Sequence, residues 1–247
     1  MLELIEEYWL FYVLTFFAEI IGTLSGFGSS IIFVPLASLF FEFDIVLGIT
    51  AVFHVFSNLS KIALFSKGID KKIAFKLGVP AVLFVILGAF ITKFIPMGEL
   101  EIGMNITLLA LAVLLISYRD KQLKTSDKNL VLGGVFSGFL AGIFGSGGSV
   151  RGITMSSFNL QKETFIATSA LIDLGVDLSR SVVYTINGYV QVAYLIVILP
   201  LIVISFLGSY IGKLIVDKIS HQTFRYIALG VISITSIIQI ILFFSGK

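Results

Sequence analysis

The stretch Gly142-Ile-Phe-Gly145-Ser-Gly147-Gly148-Ser-Val-Arg151-Gly152 lies inside an apolar run that extends from about residue 130 to 158. Five of its eleven residues are glycine. Each glycine costs a helix interior about 1 kcal/mol relative to alanine, so a continuous helix is not expected here. In a lipid environment an interrupted backbone is tolerated only where protein or trapped water covers it. The half-helix that restarts after the break presents free N–H groups that attract anions. Arg151 adds a fixed positive charge. A related stretch, Gly22-Thr-Leu-Ser25-Gly26-Phe-Gly28-Ser29-Ser30, interrupts an apolar run near the N-terminal end of the chain.

The surrounding composition sets the class. Of 247 residues, 57% are hydrophobic and 13% charged, against about 25% charged in a soluble domain. A helix crosses a bilayer with roughly 20 apolar residues. The chain offers runs near 8–41, 45–66, 73–95, 100–118, 130–158, 164–186, 189–214 and 222–244. These define an all-α, multi-pass integral membrane protein of the cell membrane, of prokaryotic plasma-membrane type, with the lipid bilayer as its surroundings. The formal charge of +2 gives no reason to expect a nucleic-acid partner, and the absence of cysteine excludes disulfides and thiolate chemistry. No spacing suggests a metal or another cofactor. The acidic N-terminal residues lack the basic region of a cleaved secretory signal.

The chain repeats itself. Gly68, Pro80, Gly88 and Lys93 recur 120 residues on as Gly188, Pro200, Gly208 and Lys213. Gly22 and Gly26 match Gly138 and Gly142 at a slightly smaller offset. The expected organisation is a first repeat over residues 1–118, a polar linker over 119–129 and a second repeat over 130–247. Each repeat opens with a broken or re-entrant element followed by three spanning helices. Duplication of this kind places transporter binding sites between the repeats.

Lysines and arginines cluster at 67–76 and 119–128, which the positive-inside rule assigns to the cytoplasm. Two topologies follow. If the glycine-broken runs cross once, the halves are parallel, and Lys162, Lys213, Lys218 and Arg225 fall outside. If they re-enter, the halves are inverted and those four residues fall inside. The inverted arrangement is the expected one.

The pattern Gly22-x3-Gly26-x-Gly28-Ser29-Ser30-x4-Pro35, its counterpart Gly138-x3-Gly142-x2-Gly145-x-Gly147-Gly148, and the small pairs Thr50-Ala51 and Thr168-Ser169 resemble the sulfite exporter TauE/SafE family of membrane permeases. The resemblance covers essentially the whole chain. It departs from the family pattern at Ser29 and Ser30, which replace glycines, and in the second half, which has no matching proline and gains Arg151. It implies a permease for small anions, often sulfur-containing.

The expected substrate contacts are Ser25, Gly26, Gly28, Ser29, Ser30, Gly145, Ser146, Gly147, Gly148, Ser149 and Arg151. Arg151 reads either as a bidentate ligand for an oxyanion or as half of an ion pair with Asp173 or Asp177. Asp173, Asp177 and Arg180 share one helix face, as do His54, Asn58 and Lys61 in the first half. These faces supply the candidates for proton coupling or gating, His54, Asn58, Asp173, Asp177 and Arg180, with salt-bridged packing as the alternative. Glu19 is expected to pair with Lys61 or Arg180. Tyr8 and Trp9 suit a membrane interface.

The function so indicated is secondary transport of a small anion by alternating access, without catalysis. An intramembrane serine hydrolase built on Ser29 or Ser30 with His54, and a passive anion channel, are the competing readings.

Overall fold

The structure is a computed structural model that describes residues 6–65, 68–117 and 125–220, with Thr223 and Ile241. The expected eighth run, near 222–244, and most of the linker lie outside the described residues. Among the described residues the elements are helices: α1 (Trp9–Ser25), α2 (Ser30–Ala37), α3 (Phe43–Leu64), α4 (Lys71–Ile91), α5 (Met97–Ser117), α6 (Asp127–Phe144), α7 (Gly148–Ser156), α8 (Lys162–Ile186) and α9 (Val192–Lys218). The spans Phe43–Leu64, Lys71–Phe94 and Val192–Lys218 are long and apolar enough to cross a membrane by length and composition.

Both glycine-rich stretches interrupt a helix as expected. α1 ends at Gly26 (φ 70°) and α6 at Gly145 (φ 73°), each in the left-handed conformation that glycine adopts without a steric penalty. The Gly26 N–H bonds Gly22 O at 3.1 Å, and the Gly145 N–H bonds Ala141 O at 3.0 Å. The structural counterpart of Gly26 is therefore Gly145, three residues beyond the Gly142 that sequence matching pairs with it.

After each break the chain turns back. Ser29 lies against Gly22, where a Cβ would come within 2.5 Å of the Ser29 backbone. Lower in the same hairpin Phe11 packs on Phe33, Phe40 and Phe41, and Tyr8 stacks on Phe41. In the second hairpin Gly147 faces Ser137, Thr154 faces Gly133, and Thr125 Oγ1 donates to Ser157 O. α1–α2 and α6–α7 are thus helical hairpins whose feet lie at opposite ends of the bundle.

The halves interlock by exchange. α6 packs on α4, and correspondingly α1 packs on α9; α8 packs on α4, and α3 on α9. The α6–α4 contact is a glycine seam. Added Cβ atoms at Gly134, Gly138 and Gly142 would lie 2.2, 2.1 and 2.3 Å from the carbonyls of Leu77, Ala81 and Val85. Small residues spaced four apart let two backbones approach closely in the absence of a hydrophobic drive between helices. On the other side the seam is on α9, where Gly208 and Gly212 receive Glu19 and Thr23. α3 and α8 run antiparallel: Gly48 meets Tyr189, and Asn58 Nδ2 donates to Asp177 Oδ2 at 2.7 Å.

The two ends of the bundle differ in charge. One gathers Lys71, Lys72, Lys76, Lys162, Lys213 and Lys218. There Lys72 and Lys76 share Asp127, Lys162 Nζ donates to Val216 O and Ile219 O, and Lys213 Nζ donates to Leu64 O. The other end carries Glu6, Glu7, Glu42 and Asp44 beside the feet of the first hairpin. Replacing Gly138 with valine should drive its side chain into the Ala81 carbonyl and destabilise the fold by about 1–3 kcal/mol or more. Gly98→Ala, where a Cβ meets nothing within 4 Å, should leave thermal unfolding in detergent essentially unchanged.

Candidate functional site

The two breaks meet. Gly148, at the start of α7, faces the Phe27 carbonyl so closely that a Cβ there would lie 2.0 Å from it. Gly152 lies under the Phe27 ring. Arg151, one turn into α7, is 2% exposed and donates through Nη2 to Phe27 O at 3.2 Å. The second half therefore grips the first-half break through a backbone carbonyl.

Arg151 is already engaged. Its two terminal nitrogens form a bidentate pair with both oxygens of Asp173, and Nε donates to Ser169 Oγ at 3.0 Å. Of the two sequence-level readings of Arg151, the ion pair is realised with Asp173. Gly28 borders this pair: a Cβ there would lie 3.5 Å from Asp173 Oδ2 and 3.7 Å from Arg151 Nη2. Beside it a small, partly open cleft, with room for about one water molecule, is lined by Gly22, Gly26, Gly28, Asn58, Lys61 and Asp173, with Ile166, Ser169 and Ala170. Ser169 and Asn58 supply polar groups, Lys61 a cation and Asp173 an anion.

A second network serves the C-terminal end of α6. The carbonyls of a helix's last turn have no partner within the helix. Arg180 reaches from α8 and donates to Gly145 O at 2.6 Å and Ala141 O at 3.3 Å, while Tyr184 Oη donates to Gly142 O at 2.6 Å. Asp177 balances Arg180 at 2.7 Å and receives Asn58. Asn58 and Asp177, 119 residues apart in sequence, bond each other across the centre of the bundle.

The third network surrounds Glu19, which is fully buried. Lys61 Nζ (2.6 Å), Ser57 Oγ (2.7 Å) and Ser209 Oγ (2.9 Å) all donate to Oε1. Ser29 Oγ lies 2.6 Å from Oε2 and 3.1 Å from His54 Nε2. Glu19 thus has the Lys61 partner that sequence analysis allowed it. Ser57 and Ser209 were not singled out from the sequence; the i, i+4 spacing of Ser57 and Lys61 is the signal that could have marked the first of them.

The remaining expected contacts divide. Ser25 Oγ bonds within its own turn, donating to Gly22 O and accepting from Phe27 N–H, and Ser30 begins α2. Ser149 is buried in the first turn of α7. Gly145, Gly147 and Gly148 are tightly packed against protein and do not line the cavity. Ser146 Oγ is buried with no hydrogen-bond partner, a condition that costs about 1–3 kcal/mol and leaves one donor free at the second break. Among the described residues no cluster of histidine and carboxylate side chains forms a metal site.

Known proteins bear on this geometry. A family model described as sulfite exporter TauE/SafE matches residues 11–238. A protein of Methanocaldococcus jannaschii, named as a probable membrane transporter protein, is 27% identical over 93% of this chain and 94% of its own length. No solved structure matches the chain.

Removing the guanidinium alone strands a buried carboxylate. Arg151→Gln should therefore destabilise the protein by about 3–5 kcal/mol, and pairing it with Asp173→Asn should recover most of that loss. Denaturant unfolding of the two variants and wild type in the same detergent measures both differences.

Proposed function

The chain belongs to the sulfite exporter TauE/SafE family, and from that premise we propose that this membrane transporter moves a small sulfur-containing anion, sulfite or an organic sulfonate, by proton-linked alternating access. The observation that carries the reading is the closed Arg151–Asp173 fork beside the cavity at the first break. A guanidinium presents a planar pair of donors that suits two oxygens of a sulfite, sulfonate or carboxylate group. Here the chain's own carboxylate occupies that fork. An oxyanion of the same geometry entering past Gly28 competes with Asp173 for it. A proton on Asp173 removes the competitor's charge and favours the exchange, which ties anion binding to protonation. Ser169 and Lys61 are the further polar groups on this route.

The same reading takes residues 1–118 and 130–247 as inverted repeats joined by a cytoplasmic linker. Its supports are the fold-back of both hairpins, the antiparallel run of α3 against α8, and the gathering of Lys162, Lys213 and Lys218 at the end that holds Lys71–Lys76. The lysine-rich end then faces the cytoplasm. Rocking of the group formed by α1–α3 and α9 on the group formed by α4 and α6–α8, about the Asn58–Asp177 contact, alternates access to the cavity.

The Ser29–His54 contact gives the hydrolase reading a specific geometry. Against it, Ser29 is fully buried, and the imidazole Nδ1 bonds the Thr50 carbonyl instead of a carboxylate. A fluorophosphonate probe should leave Ser29 unlabelled, and stoichiometric labelling would establish a nucleophile.

Sulfite transport in proteoliposomes tests the main reading. Wild type should show saturable counterflow and accumulation driven by an imposed pH gradient. Asp173→Asn should keep counterflow but lose the gradient-driven accumulation. In the Asp173→Asn background, Arg151→Gln should weaken sulfite binding by about 1.5–3 kcal/mol, the range for a hydrogen bond to a charged group. Accumulation by Asp173→Asn at the wild-type level would remove this carboxylate from the coupling, and non-saturable flux would indicate a channel.

A further inference from the structure

The Glu19–Ser29–His54 contacts do not close with the usual number of hydrogens. His54 Nδ1 lies 2.8 Å from the Thr50 carbonyl. A carbonyl only accepts, so Nδ1 carries a hydrogen, and a neutral imidazole then has a bare lone pair at Nε2. Ser29 Oγ sits between that Nε2, at 3.1 Å, and Glu19 Oε2, at 2.6 Å. A serine hydroxyl has one hydrogen. If it points to the carboxylate, two lone pairs oppose each other at the imidazole. If it points to the imidazole, the hydroxyl lone pairs face a carboxylate oxygen at 2.6 Å. The other carboxylate oxygen offers no relief, since it already accepts from Lys61, Ser57 and Ser209.

We propose that Glu19, Ser29 and His54 form a proton-binding site that holds one proton more than an ionised carboxylate and a neutral imidazole account for. The proton resides on His54 Nε2 or on Glu19 Oε2, with the Ser29 hydroxyl as the bridge between them. All three side chains are buried, at 0%, 0% and 4% exposure for Glu19, Ser29 and His54. The charged groups that face the site are Lys61 on α3, which donates to Glu19, and Arg180 on α8, whose charge Asp177 balances. α9 contributes the neutral Ser209 and α2 the ring of Phe33.

The position of the bridge gives the proton a structural role. Ser29 is the tip of the first hairpin, Glu19 belongs to α1, and His54 belongs to α3. With the proton present, the tip is tied to both helices. Without it, one of the two ties is lost, next to the cavity that Lys61 lines. A role in coupling rests on the transport reading above, whereas the proton site itself stands apart from it.

The test therefore uses no substrate. His221→Gln leaves His54 as the sole histidine of the full chain, here labelled with nitrogen-15 and held in lipid nanodiscs at neutral pH. The expected result is one of two spectra. One is an imidazole with hydrogens on both nitrogens. The other is a protonated-carboxyl infrared band that disappears in Glu19→Gln. Ser29→Ala should abolish whichever signal is present, leaving a neutral Nδ1–H imidazole and no such band. That variant also supplies the comparison should Glu19→Gln fail to fold. A neutral imidazole in the protein with Ser29 intact, together with an infrared spectrum that neither Glu19→Gln nor Ser29→Ala changes in the protonated-carboxyl region, overturns the proposal. Transport activity, present or absent, leaves this outcome unaffected.

Discussion

A helix that stops in the middle of a bundle leaves carbonyls that water cannot reach, and the second half of this protein is arranged around that constraint. The last turn of α6 ends at Gly145 among apolar side chains. Arg180 and Tyr184, one turn apart on α8, supply the donors that the broken backbone lacks. A buried guanidinium needs an anion, which Asp177 provides, and Asp177 in turn holds Asn58 of the other half. One helix end thus propagates its demand, bond by bond, to the contact between α8 and α3. The three residues of the Asp173–Asp177–Arg180 face accordingly serve different ends. Arg180 and Asp177 sustain the break, and Asp173 alone borders the cavity.

The first break is closed differently. In the first half the turn at Gly26 is closed largely by its own Ser25, and Lys61, in the place equivalent to Arg180, goes to Glu19. Glu19 finds room because Gly208 on α9 has no side chain. A glutamate–lysine–histidine cluster thus lies on one side and two arginine–aspartate pairs on the other.

Much of the plan was legible in the sequence. The breaks were visible because glycine density within an apolar run conflicts with helix formation. The polar faces at 54–58–61 and 173–177–180 followed from helical periodicity. What the sequence did not yield was partner choice. Arg151 lies near two aspartates in any reading, and only packing selects Asp173. The glycines 145, 147 and 148 looked like a ligand cradle, yet in the structure protein atoms fill the space above them. Glycine in such a stretch permits close backbone approach, and composition does not distinguish approach by a ligand from approach by a neighbouring stretch of chain. Ser57 and Ser209 were overlooked because a serine within a helix usually bonds its own backbone.

The exchange of helices between halves bears on how the protein is made. α1 is synthesised first, yet Ser209 and the glycine seam that receive Glu19 lie on α9, nearly at the end of the described chain. Until α9 arrives, the nascent first half carries a carboxylate in an apolar segment with part of its shell missing, although an unpaired acidic side chain at mid-bilayer costs roughly 2.5–3.5 kcal/mol on insertion scales. Ser29 and Ser57 precede α9 as neutral donors, and Lys61, which emerges with α3, is the cation that pairs with it. The Glu19–Lys61 ion pair can therefore form before the chain has supplied Ser209 and the α9 seam.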